Sequence, residues 1–345
     1  MQVTELRQEF LMEEDRPFDS CHAATLLTLK DGGLLAAYFA GSWEGTPDTA
    51  IWVSRRTTTG WQPPVKAADI HGIPMWNPVL YRLPCGTIRL FFKVGPDIPD
   101  WKTFFADSLD EGESFSAPRE LVPGDETGGR GPVKNKPIRL KDETILAPAS
   151  TEKGRLWDAF VDISKDGGKT WQRSEKVPVR RVLLNQADLP QVIDRPYDPH
   201  YLFGRGMIQP TLWEDSEGIV HMLCRTTTSR IFRSHSTDGG HTWSLARNTG
   251  LPNNNSGIDL ARLEDGRLVL ACNPRENLPG QFRGPRTPLT VSVSEDNGET
   301  FTKLFDLENT AGGFAYPAVL AEGNRVHIVY TWNRERIRYT SFRLE

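Results

Sequence analysis

One eight-residue phrase recurs through the chain. Ser164-Lys-Asp166-Gly-Gly168-Lys-Thr170-Trp171 returns as Ser236-Thr-Asp238-Gly-Gly240-His-Thr242-Trp243 and as Ser294-Glu-Asp296-Asn-Gly298-Glu-Thr300-Phe301. A fainter copy runs Ser108-Leu-Asp110-Glu-Gly112-Glu-Ser114-Phe115, and a worn one from Ser54 to Trp61 keeps only the serine and the tryptophan. The copies begin at 54, 108, 164, 236 and 294, so they are spaced by 54, 56, 72 and 58 residues. A self-similar unit of this length matches a four-stranded propeller blade, since kelch and WD40 blades run about 40 to 50 residues. The phrase itself is turn chemistry. Asp and Ser side chains bond backbone N–H groups two residues on, Gly tolerates left-handed angles, and the closing aromatic covers core. These aspartates are therefore expected to be structural staples. A calcium loop of the EF-hand kind needs more oxygen ligands and a distal Glu, which the phrase lacks.

Helical periodicity is almost missing. Short apolar runs such as Thr25-Leu-Leu-Thr-Leu, Thr87-Ile-Arg-Leu-Phe-Phe, Gly218-Ile-Val-His-Met-Leu and Arg325-Val-His-Ile-Val-Tyr lie between Gly, Pro, Asp and Asn turns, which is the pattern of an all-β chain. Five boxed units and a last boxless one, from Phe314 to Leu344, predict a six-bladed β-propeller that uses residues 1–345 as one domain. Val3 to Phe10 are expected to supply the strand that closes the ring, because a sheet edge would otherwise stay open. The widest interval points to a loop insertion over about residues 176–205, rich in Pro and Arg and expected beside the propeller mouth.

Composition narrows the partners. The net charge is −4 with both signs interleaved, so neither a nucleic-acid footprint nor a basic membrane-seeking face is indicated, while small acidic ligands are allowed. Residues 1–20 carry acidic groups and no apolar run, so a cytoplasmic location is expected. Cys21, Cys85, Cys224 and Cys272 are scattered without metal-ligand spacing, which predicts free thiols and no metal. No cofactor is indicated. Gly128-Gly-Arg130-Gly-Pro-Val-Lys134-Asn-Lys136 is glycine-rich and basic but lacks the Lys-Ser/Thr ending of a phosphate loop.

Four dipeptides, Asn77-Pro78, Lys136-Pro137, Gln209-Pro210 and Tyr316-Pro317, each stand just before an apolar strand. Innermost strands line a propeller axis, so these four different polar side chains are expected around one cavity. Variable residues in equivalent slots suggest a binding site.

With these residues in place the chain resembles the sialidase (neuraminidase) superfamily, which carries repeated Ser-x-Asp-x-Gly-x-Thr-Trp boxes on a six-bladed propeller. The resemblance covers nearly the whole chain and implies a sugar carboxylate gripped by three arginines, a tyrosine nucleophile helped by a glutamate, and an aspartate acid. It assigns the tyrosine to Tyr316 in Gly312-Gly-Phe-Ala-Tyr316-Pro, the third arginine to Arg286, and the second to Arg225 at the end of Ile219-Val-His-Met-Leu-Cys-Arg225. Asp48, in Glu44-Gly-Thr-Pro-Asp48, falls where the acid comes, with Glu44 as its alternative.

Two positions depart from that pattern. His22 stands where the first arginine is expected, and Gln209, sixteen residues before Arg225, stands for the helper glutamate. An amide cannot take a proton from a phenol, so His22 becomes a candidate base or acid. The expected pocket is basic and aromatic: Arg225, Arg286 and Lys136 with Lys93 and Arg130, and Trp43, Trp76 and Trp332 for stacking on sugar rings. The amide run Asn253-Asn254-Asn255 suits sugar hydroxyls or its own turn, and Asn77 joins it as a binding candidate. Three functions fit. The first is a sialidase-like glycoside hydrolase removing a terminal acidic sugar of the sialic acid or uronate type, with Asp48, Tyr316 and His22 catalytic. The others are a uronate lyase working by β-elimination and a non-catalytic sugar-binding propeller.

Overall fold

A computed structural model describes residues 1–154, 156–182, 199–278, 281 and 283–345. They form a six-bladed β-propeller of antiparallel sheets. Blade 1 is built from Ser20–Thr28, Leu34–Gly41, Ala50–Thr57 and Gly60–Trp61, with Val65–Ala68 also on its third strand. Blade 2 runs Met75–Arg82, Ile88–Val94, Lys102–Ser108 and Arg119–Glu120; blade 3 runs Ile138–Arg139, Ile145–Lys153, Leu156–Ser164 and Gln172–Arg173. Blade 4 comprises Met207–Glu214, Val220–Thr226, Arg230–Ser236 and Arg247–Pro252, and blade 5 comprises Asp259–Arg262, Leu268–Cys272, Leu289–Ser294 and Thr302–Glu308. In blade 6, Phe314–Glu322, Arg325–Trp332 and Arg336–Leu344 are completed by Val3–Phe10, which pairs with the last strand from Val3↔Leu344 to Phe10↔Arg338. The N-terminal strand thus closes the ring, as expected, and leaves no free edge there.

The predicted insertion falls mostly on 183–198, outside the described residues. At its margins Arg180–Val182 pairs in parallel with Tyr201–Phe203. No helix among the described residues is long and apolar enough to cross a membrane. All four cysteines are free, with Cys85 exposed and the other three buried.

The repeated phrase is a staple between neighbouring blades. In blade 3, Ser164 Oγ donates to Asp166 Oδ1 and accepts from the Gly168 N–H, each at 2.8 Å. Asp166 also accepts from the Thr170 N–H at 2.9 Å and from the Thr170 hydroxyl at 2.6 Å. The copies at Asp110, Asp238 and Asp296 repeat the same bonds. Gly168 sits at φ +90°, and a Cβ there would lie 2.8 Å from Leu83 Cδ2 of blade 2. Arg89 of blade 2 donates to the Gly168 carbonyl at 2.6 Å, and Trp171 meets Phe91 edge-on at 6.1 Å. Glycine is required because the turn is left-handed and presses on the preceding blade.

The inner strands carry a second repeat. In blades 1, 2, 4 and 6 the first strand holds one extra residue against its neighbour, between His22 and Thr25, Trp76 and Val79, Ile208 and Thr211, and Ala315 and Ala318. Within each bulge one residue is left-handed: Ala23 (φ 54°), Asn77 (41°), Gln209 (54°) and Tyr316 (55°). Bulges re-aim side chains and cluster beside functional sites, and a left-handed conformation for a residue as bulky as tyrosine persists only where its surroundings hold it.

Candidate functional site

The bulges of blades 2, 4 and 6 deliver Asn77, Gln209 and Tyr316 to one pocket at the axial mouth. Glu44, Trp76, Trp101, Glu152, Trp157, Arg225, Arg283, Arg286, Arg334 and Ile98 complete its wall, around about 450 Å³ of space, its opening to solvent included. The centre is a triad of hydrogen bonds. Arg225 Nη1 donates to Tyr316 Oη at 2.8 Å and to Gln209 Oε1 at 3.0 Å, while its Nε donates to Asn255 Oδ1 at 3.1 Å. Arg225 is buried, and its guanidinium also lies 5.6 Å from the Trp157 ring. Asn77 is fixed by donating to the Val133 carbonyl at 3.0 Å, and Trp76 by donating to the Gly95 carbonyl at 2.9 Å.

The pocket is strongly cationic. Arg286 lies 5.7 Å from the Tyr316 ring, and burial pulls its pKa down to about 10 against the pull of Tyr316. Arg334, also left-handed (φ 60°), pairs with Glu44 at 2.6 Å and approaches the exposed Trp43 ring at 5.8 Å. Glu152, on the second strand of blade 3, faces inward from beside Trp157. Burial raises its carboxyl above the usual range, against the opposing pull of Arg225, Arg283 and Arg205, so this acid holds its proton to a higher pH than an exposed one.

Several expected residues lie elsewhere or are used otherwise. Asp48 is not part of the pocket wall. Its Oδ2 accepts from the Ser42 N–H at 2.8 Å and hydroxyl at 2.6 Å, and its Oδ1 from the Thr46 hydroxyl at 2.5 Å. These bonds, the Ser42 and Thr46 hydroxyls foremost, bring its pKa down to about 2, so at neutral pH it is an ionised loop brace with no proton to give. Glu44, its alternative, does line the pocket. Lys136 turns the other way, down the axis, where its Nζ reaches Asp259 Oδ2 at 2.9 Å and the Leu260 carbonyl at 2.8 Å. Arg130 is bound to Asp162 at 2.7 Å and Asp125 at 3.0 Å. Lys93, fully buried, donates to Thr103 at 2.5 Å and the Arg130 carbonyl at 2.8 Å. Arg130 is a structural cation, because a charge taken from water needs such partners, while burial brings the pKa of Lys93 down to about 7. Trp332 packs on Phe10 and Arg336, away from the mouth.

His22 lies under the site, not in it. Its ring is buried 4.3 Å from the Tyr316 ring, and its Nδ1 shares a 2.8 Å hydrogen bond with the Thr331 hydroxyl. Burial first, then Arg334, Arg286, Arg283 and Lys134, hold its pKa well below the ordinary histidine value. It is therefore neutral and has no acidic proton to donate in the working range. Arg283, Arg334, Glu152, Trp101 and Trp157 were not singled out from the sequence; they come from the connections between the second and third strands of blades 2, 3, 5 and 6 and from the strand ends beside them, which the repeated phrase does not mark.

Beneath the pocket the axis is plugged. Lys134 donates to Asn135 Oδ1 at 2.8 Å and to the carbonyls of Ile258 (3.0 Å) and Pro317; burial brings its pKa to about 7. Asp259 accepts from Lys136, from the Thr211 hydroxyl at 2.7 Å and from the Val319 N–H at 2.8 Å. One carboxylate thus ties blades 3, 4, 5 and 6 together, and the mouth is a closed-floored cup instead of an open channel.

Comparisons agree with this architecture. Residues 32–328 match the BNR repeat-like domain. No curated protein matches. Among solved structures, a protein of unknown function from Dyadobacter fermentans DSM 18053 superimposes with a TM-score of 0.75 at 16% identity, over 99% of both chains. The Hadza microbial sialidase Hz136 gives 0.73 at 17% identity, with 94% of this chain and 66% of that one covered. Trypanosoma rangeli sialidase in complex with the inhibitor DANA gives 0.71 at 14% identity, with 99% and 60% covered. The chain thus spans about two thirds or less of those two sialidases. It belongs to the BNR repeat-like domain family and has the six-bladed propeller fold of the sialidases.

Proposed function

We propose that the axial cup binds a terminal acidic sugar and hydrolyses its glycosidic bond, as a sialidase-like glycoside hydrolase. The observation that carries this reading is the 2.8 Å contact between Arg225 and the left-handed Tyr316 inside a cup that Arg283, Arg286 and Arg334 also line. Guanidinium groups grip carboxylates in bidentate fashion, and Trp76, Trp101 and Trp157 offer flat walls for a sugar ring. Trypanosoma rangeli sialidase, which shares the fold, is solved with sialic acid. Glycoside hydrolysis needs a nucleophile and an acid on either side of the bond. Tyr316 takes the first role. Glu152 takes the second, because burial raises its carboxyl while hydrogen bonds hold that of Asp48 down.

The second reading is a non-catalytic propeller that binds acidic sugars; Gln209 in the place expected for the helper glutamate favours it. A panel of sialosides and saturated and unsaturated uronides, assayed for released sugar and for binding, separates the two. Release by the wild type that Tyr316→Phe abolishes supports the hydrolase. Binding without release supports the second reading, and an unsaturated product would point to elimination.

A further inference from the structure

Tyr316 Oη is met by hydrogen-bond donors. Arg225 Nη1 stands 2.8 Å away and Gln209 Nε2 3.5 Å away. The amide's orientation is not free. The same Arg225 Nη1 lies 3.0 Å from Gln209 Oε1, and a guanidinium only donates, so the amide oxygen must face the arginine and its NH2 the phenol. Among the described residues no acceptor is bonded to the phenol proton.

Charge around the ring works in the same direction. Arg225 Cζ and Arg286 Cζ lie 5.8 and 5.7 Å from its centroid. His22 covers the ring at 4.3 Å and is neutral. Glu44 opposes them, but it is paired with Arg334. Glu152 faces the same cup with its carboxyl held towards the neutral form. Burial raises the Tyr316 phenol, yet Arg225, Arg286 and the Gln209 hydrogen bond outweigh burial and Glu44, and the pKa ends below that of an ordinary tyrosine.

We propose that Tyr316 works as a preformed phenolate, held by Arg225, Arg286 and the Gln209 amide, and needs no general base. Gln209 is then a positioning residue that donates to the oxygen a base would deprotonate. The consequence for catalysis rests on the hydrolase reading above. The phenolate oxygen supplies the electron pair for the bond to the anomeric carbon, and the glycosidic pair leaves with the aglycone oxygen, which takes the Glu152 proton. Water then adds at the same carbon, its proton returns to Glu152, and the phenolate leaves unchanged.

The ionisation belongs to the free protein, so it is read without substrate by near-ultraviolet tyrosinate absorbance during an alkaline titration. One of the seven tyrosines is expected to ionise early, well ahead of Tyr38, Tyr81, Tyr330 and Tyr339, which burial raises above the ordinary value of about 10. Tyr316→Phe removes that early step. Gln209→Glu, which places an acceptor and a negative charge there, moves it up by about one pH unit or more, a tenfold change in proton affinity. Arg286→Gln moves it up as well and serves if Tyr316→Phe does not fold. Superimposable wild-type and Tyr316→Phe curves, or a step unmoved by both other substitutions, overturn the proposal. An early step in a protein that cleaves no acidic glycoside supports the phenolate while removing the hydrolase reading.

Discussion

Lys136 Nζ and Asp259 Oδ2 meet 2.9 Å apart across the propeller axis, with the Asp259 side chain 1% exposed. The contact joins a residue that precedes the inner strand of blade 3 to the first residue of the inner strand of blade 5. Removing one partner of a buried pair leaves an uncompensated charge, which costs about 3–5 kcal/mol. Asp259→Ala is therefore expected to lower the melting temperature sharply. Asp259→Ala with Lys136→Met should recover part of the loss, since neither charge is then stranded. Equal stability of wild type and Asp259→Ala by thermal denaturation would refute the axial clamp.

The staples make a pH-dependent contribution whose sign is fixed. In the folded chain Asp166 has a pKa of about 2, lowered from 3.8 first by the Thr170 hydroxyl and then by the Thr170 N–H. A depressed carboxyl stabilises the fold above its unfolded value and loses that contribution as pH falls from about 4 through about 2. Asp166→Asn is expected to melt below the wild type at pH 7, with the gap closing as pH approaches 2. A gap that stays constant across the acid range would show that the charge does not matter.

Gly168→Ala tests the contact between blades. The added methyl must adopt φ +90° and sit 2.8 Å from Leu83 Cδ2, so a loss of about 1–3 kcal/mol is expected. Leu83→Ala in the same chain should relieve the clash but not the backbone strain. Denaturant unfolding of the single and double variants measures both parts, and an unchanged midpoint for Gly168→Ala would contradict the packing.

Two of the three carboxyls put forward as the acid, Asp48 and Glu152, separate cleanly in kinetics. Asp48→Asn is expected to leave turnover of an acidic glycoside within a few-fold of wild type. Glu152→Gln should cut it by about 10²–10⁴-fold, the range for a lost general acid. Larger loss at Asp48 than at Glu152 would return the role to the loop.

The blades were legible because the box is a local device: Ser, Asp, Gly and Thr bond one another within eight residues, so its spacing survives in the chain. Tyr316, Gln209 and Asn77 were legible for a related reason, as the residue before a proline in an inner-strand bulge. Lys136 shares the dipeptide without the bulge. Its blade has only Ile138–Arg139 paired as the inner strand, so its side chain follows the buried carboxylate of Asp259 and not the mouth. Arg283, Arg334 and Glu152 had no such signal. They reach the cup through closure of the ring, which brings together loops and strand ends from blades far apart in sequence. His22 was placed near the right partner, Tyr316, but burial among cations, which no local pattern reveals, fixes it as a neutral packing residue.

The central claim is that Tyr316 attacks the anomeric carbon of an acidic sugar, and mass spectrometry of the trapped enzyme tests it most directly. A fluorinated acidic glycosyl fluoride, chosen for the sugar that the substrate panel identifies, slows breakdown of the intermediate. The account predicts one adduct, on the peptide carrying Tyr316 and absent from Tyr316→Phe. Sustained release of that sugar by the wild type with the adduct on another residue, or with none, would contradict it.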